Sequence, residues 1–306
     1  MTPSVMLRLL LVLVLLTPAV FGQGRTYDQR LVGEMLDRQG LGWIPSEPIP
    51  FERHVLDHPT GNTVLARHAL YEIAGGGDVQ RGYERLALTL LLNGVALTDL
   101  ALGDTLVLPA RPEDFDLDPI TFAPFPREYP GAASIEKVVI VDKDVQAWAA
   151  YEHGWLTRWG PASTGAEGTP TPTGRFTMNW RQLERHSTEA PPGEEWLMRY
   201  VMNIHAARGI HIHQYDSVPA GPPVGHGCVR LITADAEWLW DWSEPWTTTA
   251  GAGALGGRLI EEGTLVLVQG EEPEGAPLRF VEGPRGPERV TVTLPPDPMA
   301  VPRGDR

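Results

Sequence analysis

Glycine and proline punctuate this chain so often that no long helix can run through it: 33 glycines and 29 prolines fall among its 306 residues. Proline removes a backbone donor and fixes φ, and both residues build turns. Ordered elements must therefore be short and joined by shaped loops, which excludes a long helical bundle. The length allows about two domains. Cys228 is the only cysteine, so no intramolecular disulfide forms and no metal site can draw two thiolates from one chain. A net charge of −14 argues against a nucleic-acid partner.

The first 22 residues read as an export signal. Arg8 precedes an apolar run from Leu9 to Leu16, and Val20-Phe21-Gly22 supplies small residues at a cleavage point. That run is far short of the roughly 20 residues a membrane span needs, and no cysteine follows to take a lipid. The expected mature protein is exported to the periplasm or cell wall and carries no membrane span.

Residues 23–110 read as a small α+β domain. Its most periodic stretch, 83–92, predicts a helix before Asn93-Gly94. That stretch and the run Gly103-Asp104-Thr105-Leu106 ending at Pro109 resemble the second half of a LysM module, a peptidoglycan-binding fold. Residues 111–135, with prolines at 112, 119, 124, 126 and 130, read as an extended linker. Beyond it the pattern becomes strands: 137–141, then 145–151 and 155–159 as a hairpin about His153-Gly154. A shaped loop at 168–174 precedes a strand at 175–180, and 200–205 with 210–215 forms a second hairpin. A helix is expected at 233–242 with Thr233 as its N-cap, and a last buried strand at 263–268. Residues 271–306 read as a loosely ordered tail with one strand near 289–294.

Chemistry concentrates around Cys228. Upstream, Ile210-His211-Ile212-His213 places both histidines on one face of a strand and both isoleucines on the other. Downstream runs Gly225-His226-Gly227-Cys228-Val229-Arg230-Leu231. A thiol of reference pKa about 8.5 is expected to fall toward about 6 beside an imidazole. Gly225 and Gly227 leave room for a substrate carbonyl and free N–H groups for an oxyanion hole.

The run His226-Gly227-Cys228-Val229-Arg230 is similar to the signature of the L,D-transpeptidases, the YkuD-type catalytic domain. The upstream histidine, Pro170 to Phe176 and the terminal Gly-Thr-Leu-Val strand follow in the same order. The resemblance covers residues 136–270 and implies a mainly β fold: a β-sandwich catalytic domain with a short helix after the cysteine motif. It further implies that Cys228 attacks a peptidoglycan tetrapeptide stem at the bond between its diamino acid and D-Ala. D-Ala leaves, and an amine from a second stem resolves the thioester into a 3-3 cross-link. No cofactor and no metal are implied.

In that reading His213 is the general base, on the likeness of His213-Gln214-Tyr215 to one branch of the family, with His211 the alternative. His226, Gly227 and Arg230 support the site or its oxyanion, and Thr173, Gly174 and Arg175 form a substrate loop. Asp216 and backbone carbonyls are both candidates for the group that orients the histidine. Gly225 stands where the family usually has Ser or Thr.

Rival readings keep some of these residues. Water as acceptor gives an L,D-carboxypeptidase, a protein lysine gives wall attachment, and loss of chemistry leaves a non-catalytic wall-binding protein. The histidines with Cys228 offer zinc ligands, although they already fit a metal-free arrangement. Nine of the 10 tryptophans fall between Trp148 and Trp246, and the expectation is that they pack the core rather than line a glycan groove.

Overall fold

A computed structural model describes residues 26–249 and 257–304. The segment read as an export signal lies outside them. Among the described residues no helix is long and apolar enough to cross a membrane.

The N-terminal region opens with helix α1 (Gln29–Leu36), capped by the Asp28 side chain on the Leu31 N–H. Strand β1 (Phe51–Val55) follows, then helices α2 (Thr63–Gly75), α3 (Val79–Glu84) and α4 (Leu86–Asn93), then strand β2 (Thr105–Pro109). The helix expected over 83–92 breaks at Arg85, whose buried guanidinium is held by Asp116 and the Ala74 carbonyl. β1 and β2 pair antiparallel, Phe51 opposite Pro109. Asn93 ties α4 to β2, its side chain giving to the Val107 carbonyl and taking from the Val107 N–H, both at 2.8 Å.

The expected linker is no linker. Residues 112–132 form three 3-10 turns, each entered by a proline, Pro112, Pro119 and Pro130. Proline's fixed φ suits the first helical position, so it starts turns here rather than extending the chain. Between them Phe115, Ile120, Phe122, Phe125 and Tyr129 are buried. They share one core with Leu36 and Leu88 of the N-terminal region and Val138, Ile140 and Tyr151 of the sheet beyond.

The rest is mainly β. Strands β3 (Lys137–Asp142), β4 (Ala147–Glu152), β5 (Trp155–Ser163), β6 (Gly174–Thr177), β7 (Arg181–His186), β8 (Leu197–His205), β9 (Ile210–Gln214) and β10 (Val229–Leu231) precede helix α5 (Thr233–Trp242). After it come β11 (Thr247–Thr248), β12 (Leu259–Glu261) and β13 (Leu265–Gln269). Nine of them form one sheet in the order β6-β13-β3-β4-β5-β10-β9-β8-β7. Alternation buries β3 on both faces from Val138 on: Val138 and Ile140 face the first core, Val139 and Val141 a second. That second core gathers Trp148 from β4, Ile204, Ile210, Ile212 and Val229 from β8–β10, and Leu239 from α5. The two wings of the sheet thus close on a shared interior, as in a sandwich. Trp148 in the second core and Trp159 in the first are among the largest fully buried side chains, whereas Trp155 is exposed.

The N-cap of α5 is Ile232, without a side-chain bond, rather than Thr233. Thr233 is engaged elsewhere, its N–H and hydroxyl both donating to the Gln29 side-chain oxygen of α1, at 2.9 and 3.0 Å.

Nor is the C-terminal segment a loose tail. β14 (Phe280–Gly283) and β15 (Gly286–Arg289) form a hairpin, and the Val292 N–H donates to the Pro124 carbonyl at 2.6 Å. The Pro302 carbonyl accepts from the Arg175 N–H of β6. The strand expected near 289–294 does not form beyond Arg289: Val290, Val292 and Leu294 alternate, but they pack singly against the first core rather than into a ladder.

Candidate active site

Strand pairing assembles the site. β10 lies parallel to β9 with Val229 opposite Ile212 and Arg230 opposite His213. One step back along this register brings Cys228 beside His211. The Cys228 Sγ lies 3.7 Å from His211 Nδ1 and 3.8 Å from the Gly209 carbonyl. As expected from the alternation, Ile210 and Ile212 enter the second core while His211 and His213 face a common cleft.

The pairing reverses the expected order of the two histidines. His213 Nδ1 is taken by the Gln214 carbonyl at 2.6 Å, whereas His211 meets the thiol. The motif likeness that favoured His213 said nothing about the ladder, and a shift of two residues would have exchanged the partners. Asp216 orients neither ring; it accepts from Gln214 Nε2 at 2.5 Å. His211 is held by the edge of Trp180, ring centroids 5.2 Å apart, and its Nε2 is buried with no hydrogen-bond partner among the described residues.

Burial sets the charge of the pair. Desolvation, with help from Arg185, brings His211 down to about 4, so the imidazole is a free base at neutral pH. His213 is brought down to about 4, again chiefly by burial. Burial pushes the Cys228 thiol up, outweighing the pull of the His211 backbone and of Arg230. The expected drop in the thiol's pKa does not occur, because a neutral imidazole in a dry site offers no charge to stabilise a thiolate. Thiol and imidazole rest as a neutral, hydrogen-bonded pair.

The cleft above them has a volume of about 410 Å³. Arg185, Arg208 and Arg230 line it, as do Glu189, Glu195 and Asp216. Arg230 is 9% exposed and lies 4.3 Å above the Tyr215 ring. Among the described residues its guanidinium makes one hydrogen bond, a 3.5 Å contact to the Val224 carbonyl, and pairs with no carboxylate. His226 stands exposed at the rim, its ring 5.9 Å from that of Trp196.

Glycine is required twice in the motif. Gly227 has φ +97°, the left-handed region that side chains avoid. At Gly225 a Cβ would lie 2.5 Å from the Thr164 carbonyl oxygen. The Ser or Thr usual in the family has no room on this backbone.

Of the expected substrate loop, Thr173, Gly174 and Arg175 are not brought to the cysteine. The Arg175 side chain binds the Val301 carbonyl and lines a separate cavity with Phe176 and Asn179. The loop reaches the site through Thr171, whose hydroxyl donates to the Gly227 carbonyl at 2.9 Å. Thr171 lies in the expected loop 168–174 as one of three threonines, and no local signal distinguishes it.

Residues 136–268 match the family model of YkuD, the L,D-transpeptidase catalytic domain. The N-terminal region is outside that match. A search of curated proteins gave no match. Among solved structures, an L,D-transpeptidase from Mycobacterium smegmatis is similar at 21% identity and TM-score 0.35, over 44% of this chain and 59% of that one. One from Mycobacterium tuberculosis gives 20% identity and TM-score 0.35, over 44% and 58%. A mutant enzyme from Enterococcus faecium gives 22% and 0.33, over 44% and 50%. The chain thus spans under two thirds of the length of each.

Proposed function

We propose that this protein is an exported cysteine L,D-transpeptidase that acts on peptidoglycan stem peptides, with Cys228 as nucleophile and His211 as general base. The observation that carries the reading is the Cys228 Sγ–His211 Nδ1 contact of 3.7 Å at the floor of a cleft, within residues that match the catalytic domain.

The thiol proton passes to Nδ1 as Sγ attacks the carbonyl before D-Ala. The S–C bond forms and negative charge moves onto the carbonyl oxygen, where the Cys228 N–H and its neighbours stabilise it. The C–N bond then breaks, and Nδ1 returns the proton to the D-Ala nitrogen. An acceptor amine attacks the thioester, gives its proton to His211 and expels the sulfur. Each pK unit separating the depressed imidazole from the raised thiol adds about 1.4 kcal/mol to forming their ion pair before attack. Charge separation is therefore deferred until a substrate oxygen can take the negative charge. Arg230, buried without an acid, is placed to receive a stem carboxylate.

The test is mass spectrometry of the protein incubated with purified tetrapeptide muropeptides. The expected result is a thioacyl adduct on Cys228, released D-Ala and cross-linked dimers, all absent from C228A. Tripeptide monomers alone would assign a carboxypeptidase. Folded protein with neither adduct nor product refutes the enzyme reading.

A further inference from the structure

The carbonyl of Gly227 is not free to turn, and one part of the reason, Glu272, lies outside the residues that match the catalytic domain. Thr171 Oγ1 donates to it at 2.9 Å. The same hydroxyl accepts from the Gly165 N–H at 2.9 Å, so its own proton is committed to Gly227. Thr171 is in turn gripped by its backbone. Its N–H donates to Glu272 Oε1 at 2.8 Å, and its carbonyl accepts from Lys143 Nζ at 3.1 Å. Lys143 and Glu272 pair with each other at 2.9 Å, their side chains 5% and 8% exposed, where solvent ions screen little. Every polar group of Thr171 is thus engaged by one buried ion pair, by Gly165 or by Gly227.

We infer that Thr171, Lys143 and Glu272 form a positioning clamp that aims the Cys228 N–H into the cleft as an oxyanion donor. The two ends of a trans peptide unit point in opposite directions. With the Gly227 carbonyl fastened to Thr171 on one side, the N–H of the same unit, that of Cys228, faces the other. Gly225 repeats the device, its carbonyl accepting from the Ala166 N–H at 2.8 Å and from Thr169 Oγ1 at 2.9 Å. Glu272 belongs to the C-terminal segment beyond residue 268, so that segment takes part in the site without reaching the substrate. None of the three side chains lines the cysteine cleft; they act through the Gly227–Cys228 peptide.

The inference rests on Cys228 being an acylated nucleophile, but its test needs no stem peptide. Two small probes separate aiming from thiol reactivity in the full chain. p-Nitrophenyl acetate acylates Cys228 through an oxyanion: the S–C bond forms, p-nitrophenolate leaves and the thiol proton goes to His211. Iodoacetamide alkylates the same sulfur by displacing iodide, with no oxyanion. Thr171→Val, close in shape but without the hydroxyl, should slow acylation about 10- to 100-fold, below the loss of a whole donor, and leave alkylation within about twofold. Thr171→Ser should restore acylation. Glu272→Gln, which keeps an acceptor for the Thr171 N–H but drops the charge, should fall between. Equal loss of both rates would make the clamp merely structural, and unchanged acylation in Thr171→Val would sever it from the site. A wild-type thiol that is alkylated but not acylated would mean there is no donor to aim. Each outcome stands whether or not muropeptides are turned over.

Discussion

The β9–β10 ladder and the proline-rich segments on either side of the catalytic domain reach the same degree of order by different physics. In the ladder, alternation decides which residues face the cleft, and one parallel register decides which of them touch. In residues 111–135 and 271–304 little regular structure forms, and order comes mainly from individual anchors: Phe122 in the core, Val292 on Pro124, Glu272 on Lys143. Regular segments display their packing in sequence. Irregular ones conceal it, yet here they hold the regular part in place.

Removing the irregular part should have the largest effect. A chain ending at Gly270 loses the β14–β15 hairpin, buried Val292 and the partner of Lys143. Losing buried Val292 and the Glu272 partner of Lys143, whose ammonium then keeps only the Thr171 carbonyl, should together cost about 3 to 5 kcal/mol. Thermal unfolding should show a drop of about 6 to 20 °C, at the 2 to 4 °C per kcal/mol usual for 150 to 250 residues. An unchanged midpoint would return residues 271–304 to the status of a tail. Phe122→Ala applies the same test at one residue of the expected linker, where a cost of about 3 to 5 kcal/mol contrasts with the near-neutral result a true linker would give.

Within the ladder the contrast is between two histidines on one face. His211→Ala should lower turnover of tetrapeptide by about 10²- to 10⁴-fold, the range of a general base. His213→Asn should cost much less turnover than His211→Ala, since its ring bonds a carbonyl rather than the thiol. Rates in the opposite order would mean that the strands slip by two residues when substrate binds.

The pH dependence separates the same pair from an ordinary thiolate–imidazolium couple. His211 is a base above about 4, so acylation should fall on the acid side only near that value, well below the 6.5 of a free imidazole. Because burial raises the thiol, iodoacetamide alkylation should still be climbing above pH 9 instead of levelling near 6. Stability carries the same sign. The unfolded chain protonates these histidines near 6.5 and the folded one only near 4, so in between the unfolded state holds more protons. Their contribution is therefore lost as pH falls from about 6.5 to about 4, up to roughly 3 kcal/mol for each ring. Chemical denaturation at pH 7 and pH 5 measures it, and His213→Asn should flatten the difference.

The strands β3 to β5, β8 and β9, the helix after the motif and Cys228 were legible because each rests on a local rule: alternation, a turn at Gly154, an unpaired cysteine between small residues. The base was not. His211 and His213 differ by two residues on one face, and only the partner strand distinguishes them. Thr171 and Glu272 were hidden for a different reason, being joined to the site through backbone carbonyls and N–H groups that every residue carries. The linker was misread because proline reports a backbone angle and does not report burial.

The smallest effect tests where the motif departs from its family. The Gly225 N–H donates to the Thr164 carbonyl at 3.1 Å, which holds the two backbones close, and a Cβ at 225 would meet that carbonyl oxygen at 2.5 Å. Gly225→Ser, although it installs a residue common in related motifs, should therefore destabilise by about 1 to 3 kcal/mol, the range for overpacking. Gly225→Ala should match it, because the clash belongs to the Cβ and not to the hydroxyl. Thermal unfolding with acylation rates would report both. If Ser proved better than Ala in rate at equal stability, its hydroxyl would have found a partner, and the loop would have moved away from Thr164 to admit it. If the two variants are equally impaired, Gly225 belongs to the packing that holds the Cys228 loop against Thr164 and Ala166, and the site has replaced a side-chain hydrogen bond by a close backbone contact.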